Sequence, residues 1–308
     1  MPNTAFTTRS SPSDMPRKVL FIVNPNAGKK ISDQIIGLIR NEFPQNMYFQ
    51  IVTWKDKDHF EEITELLKTQ GYTDAVAVGG DGTVNRVAQS ILHSDIALGI
   101  LPVGSGNGLA RSLGISMDLH EAIKQIVNGN TLHIDSGEIN GHLFFCTSGV
   151  GFDAEIGKRF ADSPTRGLKS YVRITLSQLF SYRASTYTLQ VQNQAQAHKA
   201  FLITVANAGQ YGNDFYIAPE ARLNDGKFHV VVLKPFSVVT VLPLFIKILR
   251  KKAHRSSLIQ TLTCEELVIE RTSAGPIHFD GEPAEETTRL HYRIHPASLK
   301  VIVANSFL

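Results

Sequence analysis

Val76-Ala77-Val78-Gly79-Gly80-Asp81-Gly82-Thr83-Val84-Asn85 is the stretch that decides the fold. The apolar run Ala75–Val78 reads as a buried strand, and it empties into a turn of glycines around one aspartate. Val84, Val87, Ala88 and Ile91 then recur at helical spacing, which places a helix over Asn85–Ser94. Strand, glycine turn and helix start leave backbone N–H groups free at the helix N-terminus, where an anion is favoured. Glycines let the backbone approach a polyphosphate closely because no Cβ stands in the way. Asp81 is the odd residue: beside a phosphate it repels, unless it holds a metal ion or accepts a proton. A plain aspartate cap would not need glycines on both sides. The turn therefore reads as a nucleotide site, with Gly79, Gly80, Gly82, Thr83 and Asn85 around the nucleotide and Asp81 assigned to chemistry.

Outward from this turn, the first half alternates strands and helices. Strands are expected over Lys18–Val23, Tyr48–Thr53, Ala75–Val78 and Ile96–Leu101, and helices over Ile31–Phe43, His59–Gln70, Asn85–Ser94 and Leu119–Asn128. Repeated β-α-β implies a parallel sheet with helices on both faces, and ligands of such sheets bind beyond the C-terminal strand ends. The turns at Asn24, Thr53, Gly80 and Gly104 all fall at those ends. After about Thr131 the texture changes. Short strands enriched in Val, Thr, Phe and Tyr are expected over Leu132–Ile139, His142–Ser148, Thr186–Gln192, Lys199–Asn207, Lys227–Lys234, Glu266–Arg271, Ile277–Phe279 and Leu290–Ile294. They suggest a mainly antiparallel β-rich domain interrupted by helices over Leu168–Phe180 and Val238–Lys251. Asn140-Gly141 and Asp225-Gly226 are hairpin signals, and Leu299–Val303 is a last apolar strand.

The bulk properties agree with two domains: 308 residues against about 150 per domain. A formal charge of +3 is too small to argue for nucleic acid. Cys146 and Cys264 lack metal-ligand spacing and read as buried thiols of a reducing compartment. Met1–Pro16 reads as a disordered tail rather than a signal peptide. Val230–Leu249 is the run nearest to a membrane span, but Lys234, Pro235, Pro243 and Lys247 interrupt it. The expected protein is soluble and cytoplasmic, with at most peripheral membrane contact. Phe236–Lys252 admits two readings: a core helix whose basic end complements its dipole, or an apolar helix that docks on anionic lipid.

Gly79-Gly80-Asp81-Gly82-Thr83 resembles the signature of the diacylglycerol kinase catalytic domain and of its sphingosine and ceramide kinase relatives. NAD kinases and phosphofructokinases share a similar Gly-Gly-Asp turn, so three further stretches matter. Val23-Asn24-Pro25-Asn26-Ala27-Gly28-Lys29 resembles the lipid kinases' first-strand motif, Leu98–Ala110 their third, and Phe279-Asp280-Gly281-Glu282-Pro283 their late acidic turn. Order and spacing fit from about Arg17 to Leu308. The resemblance implies a two-domain lipid/NAD-kinase-like architecture: a nucleotide-binding α/β domain over 17–131 with 297–308 returning to it, and a β-rich lipid-substrate domain over 132–296. It implies ATP and Mg2+ in a cleft between the domains and phosphorylation of a membrane lipid's hydroxyl, diacylglycerol by default. A sphingoid-base or ceramide kinase, an NAD-kinase-type enzyme of soluble substrates and a non-catalytic binding module are the rivals.

Individual residues follow. Asn24, Pro25, Asn26, Ala27 and Gly28 form a strand-end turn that the resemblance places in the nucleotide-binding set and that as bare sequence is also simple punctuation; it lacks P-loop spacing, so phosphate binding falls to the other loops. Thr53 ends the second strand, and its match in the family touches the nucleotide. In Gly104-Ser105-Gly106-Asn107, closest to the sphingosine and ceramide kinase form, Gly104, Ser105 and Asn107 join the nucleotide set, and Arg111 follows one helical turn later. Asp135 is expected to serve a metal chain or meet the substrate's hydroxyl. Glu282 matches the family's proton acceptor, although as bare sequence it is also a charged hairpin turn. Asp225, with the carbonyls of Arg222 and Lys227, matches a structural metal site, or is simply a hairpin tip. The expected partner is a lipid at the inner membrane surface, visited transiently, with no nucleic acid; a homodimer is left open.

Overall fold

The computed structural model describes residues 16–24, 29–164, 168–179, 181–192, 194–213 and 215–305. The expected tail up to residue 15, and Pro25, Asn26, Ala27 and Gly28 of the first turn, lie outside the described residues. The chain divides into two compact units, 1–134 with 297–308, and 135–296.

The first unit is built from β1 (Lys18–Val23), α1 (Lys29–Glu42), β2 (Tyr48–Thr53), α2 (Lys57–Thr69), β3 (Asp74–Gly79), α3 (Asp81–Ser90), β4 (Ala97–Pro102), α4 (Gly108–Ser112) and α5 (Leu119–Asn128). The strand order β2-β1-β3-β4 is parallel throughout. β3 and β4 are buried along their whole length, as strands covered on both faces must be. Asp56 and Asp118 cap α2 and α5 by accepting the amides of His59 and Glu121, which fixes where those helices start. The register aligns the C-terminal strand ends: Val23 pairs with Thr53 and with Val78, Val78 with Leu101, and Gly79 with Pro102. The expected turns therefore share one sheet edge. Most boundaries lie within two residues of expectation, but α3 ends at Ser90 rather than Ser94 and its start differs as much. α3 begins at Asp81 rather than Asn85, because its first turn is Asp-Gly-Thr and carries no apolar residue to announce it.

The second unit contains β5 (Asn130–Ile139), which enters it from the first, and β6 (His142–Phe144), β7 (Thr147–Gly151), α6 (Phe152–Ala161), α7 (Leu168–Gln178), β8 (Ser185–Val191), β9 (Gln194–Ala200), β10 (Leu202–Ala206), β11 (Phe228–Leu233), α8 (Val238–Leu249), β12 (Ile259–Cys264), β13 (Glu266–Arg271), β14 (Gly275–Phe279), β15 (Glu282–Glu286) and β16 (Arg289–Val303). An antiparallel sheet runs β12-β11-β10-β7-β14-β15. Its pleat sends alternate residues to opposite cores. Ile203, Val205, Val230 and Val232 meet Tyr187, Leu189, Leu267 and Tyr292 of the second sheet, whereas Leu202, Ala206, Val231 and Leu233 meet Phe152 and Ile156 of α6 and Leu244 and Ile248 of α8.

Asn140-Gly141 forms the expected hairpin, both residues at positive φ, between β5 and β6. Asp225-Gly226 does not. It is a turn that opens β11, whose partners are β10 and β12, and no strand precedes it. The strands expected over Leu290–Ile294 and Leu299–Val303 are one strand, β16, broken at Ala297 by a φ of 51° where the chain returns to the first unit. α4, α6, β12 and β15 carried no sequence expectation, and the strands expected over His142–Ser148 and Lys199–Asn207 are each divided, between β6 and β7 and between the end of β9 and β10. α6 follows β7 directly through Gly151, whose φ of 104° only glycine adopts readily, so no polar linker separates the two.

Candidate active site

In the first unit the two glycine loops touch backbone to backbone. A Cβ on Gly104 would lie 2.4 Å from the Cα of Gly80, and one on Gly80 3.1 Å from the Cα of Gly104. The loops are then tied by Asp81. Its carboxylate accepts the amides of Asn107 at 2.9 Å and Gly108 at 2.6 Å, the latter opening α4. Gly106 makes room for it, since a Cβ there would stand 2.6 Å from Oδ2. Asn107, in the left-handed region at φ 53°, closes its own loop: its Oδ1 accepts from the Gly104 amide and its Nδ2 donates to the Gly104 carbonyl. Arg111 donates to the Gly106 carbonyl, so its Nε is directed at the loop backbone.

Burial pushes the Asp81 carboxyl above its ordinary range, against the opposite pull of the Gly108 and Asn107 amides and of Arg111. Thr83 is buried, and its hydroxyl accepts from Asn24 Nδ2 at 2.7 Å. Its side chain fills the space that a Cβ on Gly79 would need. As acceptor of the Asn24 bond the hydroxyl ties the first strand end to α3 and keeps its own proton to donate, while Gly82 in the first turn of α3 and Ser105 are exposed. Asn85 is buried, and its Oδ1 accepts from Gln89. Thr53 is half-buried at the end of β2.

In the second unit Asp280 and Gly281, at φ 49° and 84°, form the two-residue turn between β14 and β15. The Asp280 carboxylate accepts the amides of Phe145, Cys146 and Thr147 at 2.8, 2.7 and 3.0 Å. Glu282, exposed, begins β15 opposite Phe279, whose ring stacks on His142 at 4.8 Å. The sequence motif singled out Glu282. What fixes its position is Asp280, whose role sequence reading did not assign.

Asp135 is buried, and its carboxylate accepts the Gly226 amide at 2.7 Å while its own amide donates to Leu223. It thereby fastens the turn that carries Asp225. Asp225 in turn accepts from the Lys227 amide and pairs with His229 at 3.1 Å. Two residues expected separately are thus brought together. A buried polar cluster escaped the sequence reading entirely: Asp153 Oδ2 meets His278 Nε2 at 3.0 Å, Tyr211 hydroxyl at 2.9 Å and Thr204 hydroxyl at 3.3 Å. Gly149 admits it, since a Cβ there would crowd both Asp153 and His278. Its members are far apart in sequence, so no spacing could have signalled it.

Residues 18–139 match the diacylglycerol kinase catalytic domain, and residues 147–303, just over half the chain, match the YegS C-terminal NAD kinase beta sandwich-like domain. The chain belongs to the YegS-type lipid kinases of the diacylglycerol kinase family. It is thus a phosphotransferase of the kinase class. "Probable lipid kinase YegS" of Escherichia fergusonii is 26% identical over 299 residues, covering 94% of this chain and 96% of that protein. The fold is shared with a diacylglycerol kinase from Bacillus anthracis at TM-score 0.70 and 19% identity, covering 95% of this chain and 98% of that one. An NAD kinase from Archaeoglobus fulgidus in complex with ATP aligns at TM-score 0.53 and 11% identity, covering 94% and 95%. The expected fold class, a parallel α/β domain followed by an antiparallel β-rich domain, is the fold of this lipid kinase family member.

Proposed function

We propose that the chain is an ATP-dependent lipid kinase that phosphorylates the hydroxyl of a membrane lipid, diacylglycerol or a related lipid alcohol. The observation that carries this reading is the Gly80–Gly104 backbone contact clasped by Asp81 at the C-terminal strand edge. The glycines of the two loops let a triphosphate approach the backbone there, and the half-buried Asp81 carboxylate stands among them. Phosphates rest on the first turn of α3 and on the Ser105 loop. The lipid oxygen attacks the γ-phosphorus in line, the bond to the β-bridging oxygen breaks, and ADP leaves. The hydroxyl proton passes to Glu282 or Asp81. Most of the rate comes from positioning and charge neutralisation, since little covalent work falls to the protein.

The donor set fits Mg2+ carried in with ATP. Among the described residues no group of three or more His, Cys, Asp or Glu side chains could cage a metal, and Mg2+ in nucleotide sites uses one or two carboxylates plus phosphate oxygens. Asp81 would hold it, supplying charge neutralisation at the phosphates. A second, structural cation at Asp225 with the carbonyls of Arg222 and Lys227, adjoining Asp135, is proposed on the same hard-donor chemistry. No helix among the described residues is long and apolar enough to cross a membrane. In this reading the lipid is met by a transient visit to the inner membrane surface from the cytoplasm.

The test is phosphate transfer from labelled ATP to a panel of lipid alcohols in mixed micelles. Asp81→Asn is expected to lower turnover by about 100-fold or more and, with one clasp amide left unpaired, to lower stability by about 1 kcal/mol. Wild-type rates in that variant, or transfer only to soluble acceptors such as NAD, would refute the proposal.

A further inference from the structure

The connection between β11 and β12 is far longer than the strands require. They pair antiparallel from Phe228↔Cys264 to Leu233↔Ile259, and a two-residue turn would join them. Instead the chain makes an excursion that contains α8. This helix is well started, with Ser237 and Thr240 forming a capping box. Its inner side packs: Leu244 and Ile248 enter the core beside Ile217 and Val231, and Phe245 at the margin lies 6.3 Å from the Phe215 ring. Its outer side is apolar as well. Val239 is 83% exposed and Leu242 62%, followed by Phe245, Ile246 and Leu249 on the same flank. Spacings of three, four and seven residues make these one stripe. A solvated surface helix would be polar there.

The charge of the segment is as one-sided as its surface. From Lys227 to Cys264 there is no Asp or Glu, while Lys227, Lys234, Lys247, Arg250, Lys251, Lys252 and Arg255 all fall within it, in a chain whose formal charge is only +3. Arg250, Lys252 and Arg255 are exposed just past the helix end. Lys251 is occupied over the Tyr216 ring at 4.0 Å, and Lys247 donates to the Arg255 carbonyl.

We infer that the outer face of α8 is the surface by which the protein docks on an anionic lipid bilayer. Val239, Leu242, Ile246 and Leu249 enter the acyl boundary, and Arg250, Lys252 and Arg255 meet the headgroup phosphates. An apolar stripe with a basic end lies in a membrane interface for this reason. A second copy of the chain is the other apolar occupant available, but pairing through this face would set an acid-free cationic segment against itself. The inference extends the lipid-kinase reading, and its test needs neither ATP nor an acceptor lipid.

The full chain is sedimented with vesicles of phosphatidylcholine alone and of phosphatidylcholine with about 30% phosphatidylglycerol. The wild type is expected to bind the anionic vesicles about tenfold better. Leu242→Glu with Leu249→Glu should lower that binding about tenfold, and Arg250→Glu with Lys252→Glu should abolish the preference for anionic vesicles, both variants melting as the wild type does. Equal binding by wild type and the Leu242/Leu249 variant overturns the inference. So does a wild-type dimer that this variant converts to monomer with vesicle binding unchanged, which would make a second copy the occupant. Stripe-dependent docking by a protein that phosphorylates no lipid alcohol would uphold the surface and refute the proposed function instead.

Discussion

Gly104→Ala tests the arrangement on which the site depends. The new methyl would stand 2.4 Å from the Cα of Gly80 and 2.8 Å from Asn107 Oδ1. Ordinary carbon contacts lie at about 3.5–4.0 Å, so the two loops must part by about 1 Å, and the nearest obstacle is backbone rather than a side chain that could swing away. Overpacking of this kind costs about 1–3 kcal/mol. Losing either Asn107–Gly104 hydrogen bond adds about 1 kcal/mol. At about 2–4 °C per kcal/mol the first unit's transition should fall by about 5–10 °C. Turnover should fall further, by about 100-fold, because a displacement of that size misplaces reacting groups. Gly80→Ala is the graded control: its Cβ would sit 3.1 Å from Gly104, at a φ of −93° that alanine tolerates, and its cost should stay below about 1 kcal/mol. Gly37→Ala is the opposite control. Nothing lies within 4 Å of its Cβ position in α1, and alanine in a helix interior gains about 0.5–1 kcal/mol. The measurements are calorimetric melting and ADP release with lipid micelles. If Gly104→Ala melts and turns over as Gly37→Ala does, the loops are not in backbone contact and the site has been misread.

Three further outcomes are expected. Asp280→Ala strands the amides of Phe145, Cys146 and Thr147 and places alanine at positive φ; it should cost about 2–4 kcal/mol in denaturant melts, whereas Glu282→Gln, at an exposed position, should change stability by less than about 0.5 kcal/mol while lowering turnover. Asp153→Ala leaves buried His278 and Thr204 and half-buried Tyr211 without their shared acceptor and should cost about 2–4 kcal/mol by the same melts. Because the Asp81 carboxyl is raised above 3.8 mainly by burial, the native state holds its proton to higher pH than the unfolded chain. The stability that Asp81 contributes is thus present below pH 3.8 and is lost as pH rises through the raised value. Asp81→Asn should flatten the stability–pH curve in that window, and an unchanged curve would refute the burial argument.

The parallel sheet was legible because its strands are continuous apolar runs ending in turn residues, and the shared edge follows from β-α-β order alone. What the sequence hid has physical causes. The first turn of α3 is polar, so hydrophobic periodicity begins only at Val84. α6 follows β7 without a linker, so no break in composition marks it. The motif singles out Thr83 but could not show that its buried hydroxyl also accepts from Asn24 and fills the space beside Gly79. The turn at Asp225-Gly226 has hairpin residues because Gly226 takes φ 69°, which serves any tight turn. Glu282 was found through its motif, while Asp280 and Asp153 could be understood only once backbone amides and distant side chains had converged on them.

The convergence at Asp81 also bears on what that residue can do. A carboxylate that accepts two backbone amides is stabilised in its ionised form, which by itself makes a weak base. Burial acts the other way and prevails, since the carboxyl is raised on balance. Each of its oxygens accepts one amide and has lone-pair capacity for a second partner. One side chain can therefore clasp the Gly104 loop to the start of α3 and still present negative charge toward a cation or a hydroxyl proton. This joins the structural and chemical roles that a bare motif leaves as alternatives. An asparagine can accept from only one of the two amides with its single oxygen, so the clasp and the charge are lost together. The requirement at this position is thus for two acceptor oxygens, set by the clasp before any reaction is considered.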